Sequence, residues 1–598
     1  MVEPESYVEA YILHHDFIHL TLPGTQAHWQ HTMKTENGSG PSAQLARIRQ
    51  SLENVKVLFD AAVMAIARQC SEHARLKNTL LDAYQASSYE LAWACAEWQA
   101  AYHLCHGPDS GQALDQGLNL TYAMDAAQSI LTRLERVYAD VGMDPEPIAI
   151  LAYSQAFQSL RRELCAAHQK AKLGAMAIDH PEKIGRVELH PDVAMIQDAF
   201  QRFAQDVVRP QATQIHRKDL TVPDDILSGM CSMGAFGLSI PENHGGSADG
   251  SPNDLPAMLA VTETLSDASL GAAGSLLTRP EILARALLEG GTQAQKDHWL
   301  PRMASGEVLC AIAITEPDHG SDVARLTLKA HRTPQGWLLN GAKTWCTFAG
   351  KAHLIMVVAR TESQPGYQGL SLFLVDKPSF DGHEFMHRQP SGGRLSGRAI
   401  PTIGYRGMHS FDLHFEDYLV PDSQLIGAEK GRGRGFYYTM AGMTGGRMQT
   451  AARAAGVMHA ALTEAIAYVK DRTLFGTPLA SHQLTQVKIC DMAALYAAAR
   501  KLAYAVSHQL STGGNPMQAS LVKLLACRAA EHVTRDAQQL HGGLGYAEET
   551  AVSRHFVDAR VLSIFEGAEE TLALKVISRS LYESALSAAD ATHQPTTA

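Results

Sequence analysis

The first strong hydrophobic repeat begins at Leu45. Leu45, Ile48, Leu52, Val55, Leu58, Ala62 and Ile66 recur at three- and four-residue steps, which places them on one face of a helix. ELAWACAEWQAAYHLC (90–105) and LNLTYAMDAAQSILTRLERVYADVG (118–142) repeat the pattern, and Gly and Pro are scarce across 45–175. Ahead of this block, KTENGSGPSAQ (34–44) is rich in Gly, Ser and Asn and reads as a linker behind a polar tail. Behind it, AMIQDAFQRFAQDVV (194–208) is another amphipathic helix, and helical pattern runs on to about residue 310. The period then changes. GWLLNG (336–341), HLIMVVART (353–361), LSLFLVDK (370–377) and FDLHFEDYLV (411–420) are short strand-like runs bounded by Gly, Pro, Asp and Ser. From Met448 the helical period returns: Met448, Ala451, Ala455, Met458, Leu462, Ile466 and Val469 share a face, and Gly476 and Pro478 end the element. The pattern predicts a tail and linker over 1–44, a helical extension over 45–185, a helical domain over 186–310, a β domain over 311–430, a helical bundle over 431–585 and a tail over 586–598. Alone, this order licenses only a mixed α and β fold.

Composition narrows the class. A chain of 598 residues is too long for one compact core. A net charge of −11 disfavours a nucleic-acid surface. No run of about 18 apolar residues is present, so no membrane span is expected. The nine cysteines show no Cys-x-x-Cys spacing, which argues against structural zinc or a disulfide framework and for a reducing, cytoplasmic compartment. Glu3 and Glu5 stand where a secretory signal would carry basic residues. His14, His15, His19, His28 and His31 crowd the first segment; a polar tail explains them better than a metal site, and no metal ligand is assigned.

The candidate chemistry lies in short motifs. AIAITEPDHGSD (311–322), AKTWCTFAG (342–350), VKDRTLFGTPLASHQ (469–483), DAQQLHGGLGYAEE (536–549) and DARVLSIFEGAEETLALKVISR (558–579) follow one another along the chain. Each alone has a plainer reading, such as an Asp/Gly turn, a helix start, or a cation at a helix end. Together, in this order and spacing, they resemble the acyl-CoA dehydrogenases, flavoproteins that introduce a double bond beside a thioester carbonyl. The resemblance covers roughly 186–585. It implies an N-terminal helical domain, a middle β-barrel-like domain and a C-terminal four-helix bundle. The helices over 45–185 form an extra N-terminal extension that most of the family lacks.

The resemblance also implies roles. Glu566, followed by Gly567, would be the base that removes the α-proton. Such a proton is weakly acidic, and a carboxylate kept from water is a stronger base. The Glu566 N–H would steady the thioester oxygen, and Gly567 would let the acyl group approach the backbone. Thr315, Ser321, Trp345 and Thr347 would contact the flavin of an FAD cofactor. Cys346 stands where the family more often has Ile, and Ala568 where a Thr commonly contacts flavin. Arg472 and Phe475 would reach a neighbouring subunit's FAD, with Gln539, Gly542 and Gly543 at its adenylate end. That implies a homodimer or homotetramer. No GxGxxG follows a strand, so no dinucleotide fold would hold the FAD. Arg447 would lie near the base. Some relatives carry their base just before this Arg, where this chain has Gly446.

Several segments, among them GSLLTRPEILARALLEGGTQAQKDHWLP (274–301), IGYRGMHSFDLHF (403–415) and RMQTAARAAGV (447–457), resemble methylsuccinyl-CoA dehydrogenases. These oxidise a short, branched acyl-CoA ending in a carboxylate. Arg279 is the nominated cation for that carboxylate; an ordinary helix-start residue is the competing reading. The loop SGGRLSGRAIPT (391–402) departs from that subfamily. An electron-transfer flavoprotein would be the electron acceptor. The alternatives are a short-chain dehydrogenase of other specificity, a flavin oxidase or monooxygenase on the same fold, or a non-catalytic binding protein. The extension is expected to cover part of the core, stabilising the dimer or narrowing access to the flavin.

Overall fold

The computed structural model describes residues 40–593 apart from positions 74 and 109, so the histidine-rich first segment lies outside the described residues. The extension opens with α1 (Pro41–Gln69), α2 (Gln85–His106) and α3 (Ala113–Val141). α1 starts inside the stretch read as linker. Pro41 sits in its first turn, where a missing N–H costs nothing. Its predicted face, from Ile48 through Leu52, Val55, Leu58 and Ala62 to Ile66, is buried. α2 buries an unbroken run from Leu91 to Ala96, because neighbours cover it on several sides. Three shorter helices follow, Glu146–Tyr153, Gln155–Cys165 and Ala167–Asp179. The last lies close against the C-terminal bundle: a Cβ on Gly174 would stand 1.8 Å from the Gln486 carbonyl oxygen.

The next domain is helical up to Ala304 and includes α4 (Asp254–Ala268) and α5 (Thr278–Gly290). Eight strands then form one curled sheet: β1 (Cys310–Ala313), β2 (Lys329–Thr333), β3 (Gly336–Thr347), β4 (Leu354–Arg360), β5 (Leu370–Asp376), β6 (Glu384–Arg388), β7 (Arg394–Ala399) and β8 (Ser410–Val420). Their order is β1-β4-β2-β3-β8-β7-β6, with β5 paired to β4. β1 runs parallel to β4, and β3 runs antiparallel to β8 with two register shifts. Asp219, His383 and His409 bring possible metal-donor atoms within 4.8 Å of one another. They join the preceding helical domain to the sheet, and Arg406 Nε already stands 3.5 Å from the Asp219 carboxylate.

The bundle comprises α6 (Gly435–Asp471), α7 (Gln483–Ser511), α8 (Met517–Leu540), α9 (Ala551–Leu562) and α10 (Ser578–His593). One sequence expectation is corrected here: α10 continues past residue 586, where a tail was expected. α6 begins at Gly435, inside the predicted bundle but ahead of the apolar repeat that starts at Met448. Glycines hid the start of α6, since each lowers helix propensity. Their reason is close packing. A Cβ on Gly435 would lie 2.5 Å from the Ser371 carbonyl carbon, and one on Gly442 would lie 2.7 Å from Ile282 Cα. Gly435→Ala gains about 1 kcal/mol of propensity but loses ~1–3 kcal/mol by overpacking against backbone. A lowered Tm is expected; an unchanged or raised Tm would mean that the Ser371 strand yields.

No described helix is long and apolar enough to cross a membrane. All nine cysteines are free thiols.

Candidate active site

Glu566 lies on the loop between α9 and the short turn Glu569–Thr571. Its φ is 56° and that of Gly567 is 97°. Left-handed backbone is uncommon for a side chain of this size and marks a segment held from outside. The holding contacts are specific. Lys523 Nζ donates to the Gly567 carbonyl at 2.6 Å. Glu569 N donates to Ser563 O at 3.2 Å. Phe565 meets Tyr405 edge to face, with ring centroids 5.5 Å apart. Among the described residues, no backbone acceptor takes the Glu566 N–H.

The Glu566 carboxylate rests on α6. Its Oε2 stands 3.4 Å from where a Cβ on Gly446 would be. Gly446 therefore leaves the space that this carboxylate uses. The neighbouring Gly445 does the same for a second carboxylate: a Cβ there would stand 2.0 Å from Glu281 Oε1. Glu281 is buried on α5, takes a hydrogen bond from Gln449, and is pushed above the usual carboxylate range by burial.

Cations surround the pair. Burial pulls Arg447, Arg453 and Lys523 below their usual ranges, and the Glu566 charge opposes this in each case. Arg447 Nη1 donates to Ser520 Oγ at 3.2 Å. Arg453 is 0% exposed. Its Nη1 donates to Ser275 Oγ at 3.3 Å, its Nη2 to Thr450 Oγ1 at 2.6 Å, and its Nε has no partner. Its guanidinium lies 4.7 Å from the Phe565 ring centroid. Arg279 is 6% exposed, and its Nη1 donates to Ser275 O at 3.1 Å and to the Tyr405 hydroxyl at 3.2 Å. None of the hydrogen bonds of Arg279 or Arg453 goes to a carboxylate. Buried guanidiniums that hydrogen-bond to no acid are costly to desolvate, and here the Glu566 charge offsets part of that cost for Arg453. Tyr405 also has a left-handed φ, 60°, and is pinned where its N–H donates to Asp558 Oδ1 at 2.6 Å.

The expected flavin contacts fall into two separate groups. Thr315 follows β1, while Trp345 and Thr347 end β3; Thr344 N donates to Thr315 O at 2.9 Å and joins them. Thr571, just past the Glu566 loop, donates to Ser321 Oγ at 3.0 Å and brings this edge to that loop. Trp345 is 56% exposed with φ 57°. The second group lies at the other end of α6. Arg472 and Phe475 sit on an exposed hairpin after that helix, Phe475 being 90% exposed with φ 52°. Gln539, Gly542 and Gly543 are exposed at the end of α8, and Tyr468 stacks on His541 at 4.2 Å to hold the two ends together. A Cβ on Gly542 or Gly543 would meet nothing within 4 Å. Arg472 stands 25 residues after Arg447 on one helix, a separation of about 37 Å at the helical rise.

These residue types fit a flavin dinucleotide. An exposed indole and short hydroxyl donors suit the ring, and an open glycine turn beside a guanidinium suits phosphates. Sequence reasoning assigned no role to Arg453, Tyr405, Ser275 or Glu281. For Arg453 one signal was present: an arginine among alanines, with no acid three or four residues away on either side.

Three family models match in order: the acyl-CoA dehydrogenase N-terminal domain over 190–307, the middle domain over 311–418 and the C-terminal domain over 433–582. The chain is 32% identical to the (2S)-methylsuccinyl-CoA dehydrogenase of Cereibacter sphaeroides over 558 residues, covering 89% of this chain and 97% of that protein. Butyryl-CoA dehydrogenase from Megasphaera elsdenii superposes with a TM-score of 0.60 at 30% identity, covering 66% of this chain and 99% of its own. A glutaryl-coenzyme A dehydrogenase solved with glutaryl-CoA gives a TM-score of 0.59 at 27% identity, covering 65% of this chain and 94% of its own. The fold, the matched domains and the near full-length relative together establish that this chain belongs to the acyl-CoA dehydrogenase family, FAD-dependent oxidoreductases acting on CH–CH groups.

Proposed function

We propose that the protein dehydrogenates the α and β carbons of a short, branched acyl-CoA that ends in a carboxylate, a methylsuccinyl-CoA-like thioester. The observation that carries this reading is that Arg453, buried within reach of the Glu566 charge, shares Ser275 with the buried Arg279, and neither guanidinium hydrogen-bonds to an acid. Glu566 takes the α-proton. Its own N–H, free of a backbone acceptor, donates to the thioester oxygen as charge develops there. Gly567 keeps the approach to that donor clear. Arg447 steadies the charge of the base. Arg279, Arg453 and the Tyr405 hydroxyl grip the distal carboxylate and set the acyl chain's register. Bound FAD supplies the acceptor for the β-hydride. Thr315, Ser321, Trp345 and Thr347 would hold its ring. Similarity to a methylsuccinyl-CoA dehydrogenase along nearly the whole chain supports the substrate class, as does a structural relative that binds glutaryl-CoA, also a carboxylate-ended thioester.

Arg472, at the far end of α6, stands about 37 Å along the helix from Arg447 beside Glu566. By the family resemblance, Arg472, Phe475, Gln539, Gly542 and Gly543 serve the FAD of a second copy, in a homodimer or homotetramer, and their exposure on one surface supports this. The purified protein should be yellow, oligomeric, and carry about one FAD per chain. A flavin-free monomer with an intact fold would overturn this assembly.

Anaerobic bleaching of the bound flavin by a panel of short acyl-CoAs, with and without a distal carboxylate, tests the function. The branched dicarboxylic thioester should bleach fastest, and an electron-transfer flavoprotein should reoxidise the enzyme faster than air does. If neutral thioesters bleach as fast, the substrate class is wrong. If air is the better oxidant, the protein is an oxidase.

A further inference from the structure

The N-terminal extension touches the loop that carries Glu566. Tyr89 on α2 donates its hydroxyl to Glu569 Oε1, three residues past Glu566. Burial, reinforced by this bond, pushes the Tyr89 pKa up, so the hydroxyl remains a donor. Arg528 on α8 donates to the same carboxylate oxygen. Trp93, one helical turn from Tyr89, lies beneath Arg528 at 5.3 Å and faces Arg133 of α3 at 5.6 Å. Glu569 is 7% exposed, so these donors replace the water its charge has lost. The helix that follows the loop is tied to α2 as well: Ser88 Oγ and the Tyr582 hydroxyl are 2.8 Å apart, and Ser578 Oγ donates to Ser88 O at 2.7 Å.

The loop needs such ties. A left-handed φ costs a non-glycine residue about 1–2 kcal/mol and persists only where the surroundings over-determine it. Lys523 and Tyr405 hold the loop from the core side. On the Glu569 side the core offers Arg528, whose guanidinium is oriented by Trp93 of the extension. The three acyl-CoA dehydrogenase domain models begin at residue 190, after α2 and the rest of the extension.

We propose that the extension positions the base. Through Tyr89 and Trp93, α2 fixes the Glu569–Arg528 pair and so sets the angle at which the Glu566 carboxylate meets the α-proton. Tyr89 is a positioning residue acting through Glu569. The proposal rests on the reading of Glu566 as the base.

The test is Tyr89→Phe in the full-length holoenzyme. Anaerobic bleaching is followed with methylsuccinyl-CoA, or the fastest thioester of the panel, in α-protio and α-deuterio forms. Tyr89→Phe should slow bleaching by about tenfold, since proton transfer depends steeply on alignment. Its α-deuterium isotope effect should rise, while FAD content and KM stay unchanged. Asp491→Asn is the control. It breaks the 2.8 Å ion pair from Lys170 of the extension to α7, which does not touch the loop, and should leave rate and isotope effect as in the wild type. Unchanged rate and isotope effect in Tyr89→Phe would overturn the proposal. So would equal slowing by Asp491→Asn, because the extension would then act only by docking as a whole. Glu566→Gln separates the two readings. If it bleaches normally, the base assignment falls and takes the brace with it; if it is inert while Tyr89→Phe is normal, the brace alone falls.

Discussion

Glu566→Gln should retain FAD and bind acyl-CoA, yet reduce its flavin at least roughly 10³-fold more slowly. Gln has the length and shape of Glu and fills the same space over Gly446. It keeps the backbone N–H that would meet the thioester oxygen, so ground-state binding is preserved. What it lacks is a lone pair basic enough to accept the α-proton. Stopped-flow loss of flavin absorbance measures this directly, and thioester titration checks binding in the same sample. Near-normal reduction would move the base elsewhere. The first place to look would then be Glu281, whose carboxylate sits one residue along α6, over Gly445. Gln449 donates to one Glu281 oxygen, which engages a lone pair that a base would need.

The second large effect concerns selectivity. Arg279→Met and Arg453→Met should each weaken short thioesters bearing a distal carboxylate far more than their neutral counterparts. Losing one partner of a buried charge-assisted pair costs ~2–5 kcal/mol, or roughly 30- to 4,000-fold in kcat/KM. The ratio between the two substrate types is the quantity to measure. Arg453 also feels the Glu566 charge, so its loss disturbs the base for every substrate, and the ratio cancels that common term. Met fills much of the volume, which limits collapse around Ser275 and Tyr405. Equal losses on both substrate types would mean that these arginines organise the base and do not read the substrate.

Much of this protein was legible in its sequence, for local reasons. The helix–strand–helix order shows because an apolar repeat of 3.6 and a repeat of two are written in neighbouring residues. Glu566 could be nominated from the sequence because a loop motif of a few residues carries it. Elements whose packing works against their composition did not show. The strands Lys329–Thr333 and Glu384–Arg388 are mostly polar and are held by pairing with β3 and β7. The first turns of α6 are glycine-rich because Ser371, Ile282 and the two carboxylates press on them. The surroundings of Glu566 are set at longer range. Whether Arg453 reaches solvent or stays buried without an acid depends on Ser275 and Phe565, from other parts of the chain. Tyr89 and Glu569 are 480 positions apart and meet only once the extension lies against the bundle. Periodicity is a property of neighbours and can be read along the chain. The pairing of a buried charge depends on everything that closes around it, and only the tertiary structure decided it.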